Sequence, residues 1–247
     1  MARTAPPADR PAFYALASGG WRDLVTLLHP PYTAWHLSYV AIGSAMAPQL
    51  HATRLLAALA AFFLAVGVAA HALDELRGRP LRTRLSDRVL IGLAACGLSG
   101  AAAIGIYGAA TVSLTLLPFT AAGVFLVLAY DLEWFGGRFH TDFWFAAAWG
   151  AFPAATGFWV NALTLRAAGV LAVAACFALS VAQRRLSSPV RELRRRTVSV
   201  SGEQRLRDGR VIPLDTRSLA APLDDALAAC ALAVSLLAIA LVVLRLR

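Results

Sequence analysis

The sequence predicts an all-helical integral membrane protein, a bundle of about seven transmembrane helices with a polar loop before the last. Three observations carry that expectation. Of 247 residues, 59% are hydrophobic and only 15% are charged, against about 25% charged in a soluble domain. The apolar residues fall into long runs, and the charges fall between the runs. Each run is apolar over most of its circumference rather than along one stripe, which suits lipid and not a soluble surface.

Taken in order, residues 1–28 have no apolar core of signal-peptide length. They read as a partly disordered, Pro-containing lead followed by an interfacial helix that ends near Leu28. A spanning helix needs about 20 largely apolar residues. Seven segments qualify: Thr33–Met46 extended by its flanks, Leu55–Leu73, Val89–Gly108, Val112–Tyr130, Phe143–Val160, Leu165–Val181 and Ala220–Leu244. Residues 29–247 therefore read as a single transmembrane domain. Within it, residues 186–219 are the only long polar stretch, expected to form a loop or a small hairpin. Asp208-Gly209 is a hairpin-turn dipeptide, and Val211-Ile212 follows it.

The formal net charge is +9, and all 23 basic residues are Arg. They cluster at Arg3, Arg10 and Arg22, between Arg77 and Arg88, and between Arg184 and Arg210, while Arg54 and Arg166 stand nearly alone in the alternate loops. The positive-inside rule then places the N-terminus and both Arg-rich loops in the cytoplasm, in a bacterial or archaeal cell membrane. Arg245 and Arg247 run against the rule. Because the arginines flank spans and form no separate basic domain, no nucleic-acid partner is expected. Cys96, Cys176 and Cys230 lack disulfide or zinc spacing and read as small buried apolar residues.

His71, Asp74 and Glu75 follow i, i+3, i+4 spacing at the end of the second span, on one helix face. Ionisable groups at membrane depth are costly and face a bundle interior or a wet cavity. Two carboxylates and an imidazole suit a divalent ion, Mg²⁺ by the preference for oxygen ligands. Arg77, Arg79 and Arg84 would then grip phosphate oxygens. The same charges would equally mark a helix end at the interface. A second cluster, Tyr130, Asp131, Glu133, Arg138, His140 and Asp142, follows the fourth span as either a polar pocket or an ordinary loop. Trp144, Phe145, Trp149, Phe152, Phe158 and Trp159 crowd the fifth span, as the lining of an apolar tunnel or as ordinary packing.

Three stretches resemble the UbiA superfamily of intramembrane prenyltransferases. They are Leu27-Leu-His-Pro-Pro-Tyr-Thr-Ala-Trp, the segment His71-Ala-Leu-Asp-Glu-Leu-Arg-Gly-Arg-Pro-Leu, and Tyr130-Asp-Leu-Glu running to Trp149-Gly-Ala-Phe-Pro and Gly157. The resemblance covers roughly Leu27 to Val181. It implies a bundle open to the cytoplasm, with Mg²⁺ and an isoprenyl diphosphate bound at Asp-rich motifs and the isoprenyl group passed to a lipophilic or aromatic acceptor. Asp74 and Glu75 would hold metal with His71 as third ligand or base, Arg77, Arg79 and Arg84 would hold diphosphate, and Tyr130 and Asp131 would orient the acceptor or stabilise a cation. The chain departs from the family's pattern in its span count, about seven where the family usually has nine, in Asp74, one position off the carboxylate step, and at further motif positions. His71 stands where the first motif has Asn, Arg79 replaces its last carboxylate, and the second motif's position, Ser180-Val-Ala-Gln-Arg-Arg-Leu-Ser-Ser, has no acid. A terpene cyclase on the same scaffold and a non-catalytic lipid-binding or assembly subunit remain alternatives. The oligomeric state is not legible.

Overall fold

The structure, a computed structural model, describes residues 10–246, so residues 1–9 of the expected disordered lead lie outside the described residues. Of the described residues 73% are helical. The helices are α1 (Trp21–Leu27), α2 (Pro30–Ala45), α3 (Ala52–Leu76), α4 (Asp87–Thr111), α5 (Leu116–Asp131), α6 (142–162), α7 (Ala167–Arg195) and α8 (Thr216–Arg245). Trp134–Gly137 adds one turn, broken by positive φ at Phe135 and Gly136.

Four of them, α3, α4, α7 and α8, are long and apolar enough to cross a membrane. Only 22–33% of the residues in their apolar windows are buried within the protein. Most of that surface faces outward, as lipid requires and water would penalise. The other three expected spans fall short of this standard. Both α2 and α5 have 16 residues, about 24 Å of helix against a hydrocarbon core of about 30 Å. In α6, Trp, Gly and Pro dilute the apolar run.

At the centre is α2, with Trp35, Tyr39, Val40 and Ser44 fully or almost fully buried. It meets α6 backbone to backbone: a β-carbon on Gly43 would overlap the Ala154 carbonyl, and one on Gly157 the Val40 carbonyl. Such small-residue contacts substitute for hydrophobic driving force in lipid. Ser44 reinforces the crossing by donating to the Gly157 carbonyl at 3.0 Å. Outside this pair, α7 and α8 pack on one side and α3, α4 and α5 on the other.

Three segments differ from expectation. Residues 10–20 do not dangle: Ala15 is fully buried, and Leu16 N–H donates to Thr26 Oγ1 at 3.0 Å. The expected polar loop begins later, because α7 runs unbroken to Arg195 before β1 (Glu203–Arg205) pairs antiparallel with β2 (Val211–Pro213). Pro189 does not stop it. Cys96 is exposed on the outer side of α4, whereas Cys176 is buried. At the opposite end, the unexplained Arg245 donates to the Ala47 and Pro48 carbonyls at 2.9 and 2.5 Å, closing the turn after α2.

Candidate functional site

Two of the helices carry π-helical turns, Phe63–Ala70 in α3 and Ala147–Ala151 in α6. Such turns leave carbonyls short of helical partners and cluster at functional sites. Here imidazoles take up the slack. His71 Nδ1 lies 3.2 Å from the Gly67 carbonyl, and His36 Nδ1 lies 2.8 Å from the Trp149 carbonyl.

Both turns wall a polar chamber of about 460 Å³. His71 and Asp74 enter it from α3, Tyr130 and Asp131 from α5, Gln183, Arg184, Arg191 and Arg195 from α7. Phe13, Tyr14 and His29 close it from the N-terminal segment. Beside it runs an apolar groove of about 330 Å³ between α3, α4, α5 and α6, lined by residues such as Phe62, Leu98, Phe119 and Phe152. The two cavities share Val66 and Trp149 as a common wall.

Among the described residues, three buried side-chain polar atoms have no hydrogen-bond partner: His29 Nε2, Asp131 Oδ2 and Gln183 Oε1. All three belong to residues that line the chamber. Buried polar atoms are normally satisfied, so their concentration here marks a cavity that suits water or a polar ligand rather than core packing. His29 is also strained, a non-glycine residue at φ 45°. Its ring lies 3.9 Å from that of His71, centroid to centroid.

Glu75, expected as a metal ligand with His71 and Asp74, turns away. Successive helical residues are about 100° apart, so Asp74 and Glu75 cannot both face the chamber. Glu75 is fully buried under the loop after α3. It accepts from Leu81 N–H and Thr83 N–H at 2.9 Å each and from Thr83 Oγ1 at 2.8 Å. The expected metal triad is therefore not formed, and no group of three His, Cys, Asp or Glu residues comes together among the described residues.

The expected diphosphate-binding arginines also lie outside the chamber. Arg77 pairs with Glu133 at 3.0 Å. Arg79 pairs with Asp87 and donates to the Leu85 carbonyl. Arg84 offers only its backbone N–H, to Asp23 at 3.0 Å. Asp23 accepts from Gly19 N–H as well, so it ties the N-terminal segment to the same loop. These arginines hold a loop together.

The arginines that do face the chamber come from α7, where the sequence was read as loop. The signal was present: Arg184, Ser188, Arg191 and Arg195 fall at i, i+4, i+7 and i+11, one face of a helix. Arg184 pairs with Asp142 at 2.6 Å and lies over the Phe145 ring. Arg194 forms a mostly buried two-bond pair with Asp224 of α8. Arg191 and Arg195 have no carboxylate within ion-pair distance among the described residues. Their charges act on Asp74 across the chamber.

Burial holds the His29 imidazole well below its usual range, and the neighbouring His71, Arg195, His36 and Arg191 push in the same direction. Burial likewise pushes the Tyr14 phenol up. Below the ordinary imidazole pKa of about 6.5, the unfolded chain binds a proton that the folded site refuses, so stability falls as pH drops. Thermal unfolding in detergent between about pH 7 and about pH 5 measures this. His29→Asn, a residue that tolerates left-handed backbone, is expected to flatten the slope by up to about 1.4 kcal/mol per pH unit. Equal slopes would exclude His29 from that response.

No protein-family model, curated protein or solved structure matches the chain.

Proposed function

We propose that the chain is a membrane prenyltransferase of the UbiA type, moving an isoprenyl group from its diphosphate to a lipophilic or aromatic acceptor. The observation that carries this reading is the shared wall at Val66 and Trp149, which joins an Arg-bearing polar chamber to an apolar groove. That pairing matches an amphiphile with an anionic head and a long apolar tail. Seven membrane passes, with the chamber and the N-terminus on the cytoplasmic side, fit the arginine-rich loops, with Arg245 and Arg247 as exceptions.

The scissile carbon would lie at the junction. Trp149 and Tyr130 pack edge to face there, with centroids 5.5 Å apart, and an aromatic face can stabilise a developing cation. With the anionic diphosphate bound beside them, which favours the protonated form, His71 and His29 would be placed to accept the proton that an acceptor hydroxyl or ring carbon releases. Asp74 and Asp131, the latter with an unpartnered Oδ2, fit one Mg²⁺ shared with phosphate oxygens, since Mg²⁺ is commonly held by one or two carboxylates plus substrate. Such an ion would stabilise charge on the departing diphosphate.

Loss of Glu75 to the loop favours a second reading, a lipid-binding subunit without turnover. The test uses the protein in nanodiscs with geranyl, farnesyl and geranylgeranyl diphosphate. Saturable binding is expected, with a stabilisation of about 2.7 kcal/mol at a hundredfold excess over Kd. Trp149→Ala, which removes the shared wall, should weaken binding about tenfold. No binding by any of the three would end both enzymatic readings, prenyltransferase and cyclase. Binding without product across a panel of phenolic and quinol acceptors would leave the lipid-binding subunit, and a cyclised product would assign a terpene cyclase instead.

A further inference from the structure

The chamber raises a question of charge that the expected metal motifs do not answer. On the α3 and α5 side it presents Asp74 and Asp131. On the α7 side it presents Gln183, Ser187, Ser188 and arginines, with Glu192 at the exposed rim. A metal bridge between two carboxylate motifs has no second anchor there.

Four α7 arginines face the chamber before the helix ends, and they divide into two kinds. Arg184 and Arg194 are neutralised by Asp142 and Asp224. Arg191 is partly buried, and among the described residues its one side-chain bond is to Ser188 Oγ at 3.2 Å. Arg195 lies one turn further on, exposed at the mouth, so the cost of burial falls on Arg191 and Arg195 adds its charge from the rim. Bringing a guanidinium out of bulk water without a counter-charge is costly. A bound anion removes that cost, and the planar donor fork of Arg matches phosphate oxygens two at a time.

We propose that Arg191 and Arg195 bind the diphosphate of the substrate directly, so that head-group affinity comes from guanidinium groups on α7 and does not depend on a divalent cation. The inference rests on the functional reading above and deepens it. Arg184 and Ser188 continue the same face towards the Trp149 wall, so a head held by Arg191 leaves its tail directed at the groove. Gln183, whose Oε1 is buried without a partner, lies one turn deeper. Asp74 and Asp131 face the head from the opposite side and remain available for one cation during chemistry, after binding has occurred.

The experiment measures farnesyl diphosphate binding to the full chain in phosphatidylcholine nanodiscs, in excess EDTA and in millimolar Mg²⁺. Inorganic pyrophosphate serves as a head-only competitor, and nanodiscs containing phosphatidic acid distinguish a diphosphate from a lipid phosphate. The expected Kd in EDTA lies within about threefold of that in Mg²⁺, and pyrophosphate competes in both buffers. Arg191→Gln with Arg195→Gln should raise Kd by about tenfold or more in either buffer, as loss of charge-assisted bonds predicts. Arg185→Gln, an exposed neighbour outside the chamber, should change nothing and controls for net charge.

A Kd that rises tenfold in EDTA and is restored by Mg²⁺ would overturn the direct-grip proposal while leaving the prenyltransferase reading standing. So would a folded double variant, judged by its unfolding midpoint, that binds as the wild type does. Competition by phosphatidic acid but not by pyrophosphate would reassign the site to a lipid phosphate. No saturable binding in either buffer would overturn the functional reading and this inference together.

Discussion

Glu75→Ala is expected to be among the most destabilising single substitutions in the chain. The wild-type carboxylate is fully buried and satisfies two backbone N–H groups and one hydroxyl of the loop after α3. Truncation leaves those donors buried without partners, and each orphaned group costs about 1–3 kcal/mol. Allowing for relaxation, a loss of about 3–4 kcal/mol is expected, on the order of a 10 °C fall in the unfolding midpoint. Glu75→Gln is the sharper probe. Its amide oxygen can serve Thr83, but its NH₂ group then faces the Leu81 N–H, donor against donor, so it too should lose about 1–3 kcal/mol. A metal ligand behaves differently: its removal would spare stability in EDTA and show only when metal is present. A Glu75→Gln protein as stable as wild type in EDTA would return Glu75 to the metal site.

The contrast between Glu75 and Asp74 shows where the sequence stops being legible. Apolar runs report helices because lipid burial needs many residues at once, and no single substitution erases the pattern. The long helices α3, α4, α7 and α8 were visible for that reason. The direction of one carboxylate is a different kind of information. It depends on a rotation of about 100° per residue and on a loop six to eight residues downstream whose donors need an acceptor. The loop arginines misled for the same reason: Arg77, Arg79 and Arg84 have the chemistry of a phosphate site, but their nearest partners are Glu133, the Leu85 carbonyl with Asp87, and Asp23.

The arginines on α7 carry a helical signal in the sequence. Their i, i+7, i+11 spacing is a helical face, but the polar composition after Leu186 reads as a loop. His29 gave no such signal, because a histidine before two prolines reads as a helix start, and only the fold brings it against His71. The π-helical turns that shape both walls have no local sequence mark. Each meets an imidazole, the Gly67 carbonyl that of His71 and the Trp149 carbonyl that of His36, a pairing that local sequence does not display.

Gly157→Ala is expected to disrupt the bundle although it adds a single methyl group. That carbon would overlap the Val40 carbonyl and crowd Ser44 Oγ at 3.0 Å. Backbone cannot rotate aside as a flexible side chain can, so α2 and α6 must separate. Overpacking of this kind costs about 1–3 kcal/mol and sometimes more, here with loss of the Ser44 bond to the Gly157 carbonyl. The consequence reaches the chamber, because α2 carries His36 and α6 carries the Trp149 carbonyl it meets. Gly157→Ala should therefore lower both the unfolding midpoint and diphosphate affinity, even though the site lies two helical turns from Trp149. Gly92→Ala is the control: a β-carbon there meets nothing within 4 Å, and Ala favours helix over Gly by about 1 kcal/mol in exposed positions. It should be neutral or slightly stabilising. If the two variants unfold at the same temperature, the α2–α6 crossing is looser than described, and the chamber does not depend on it.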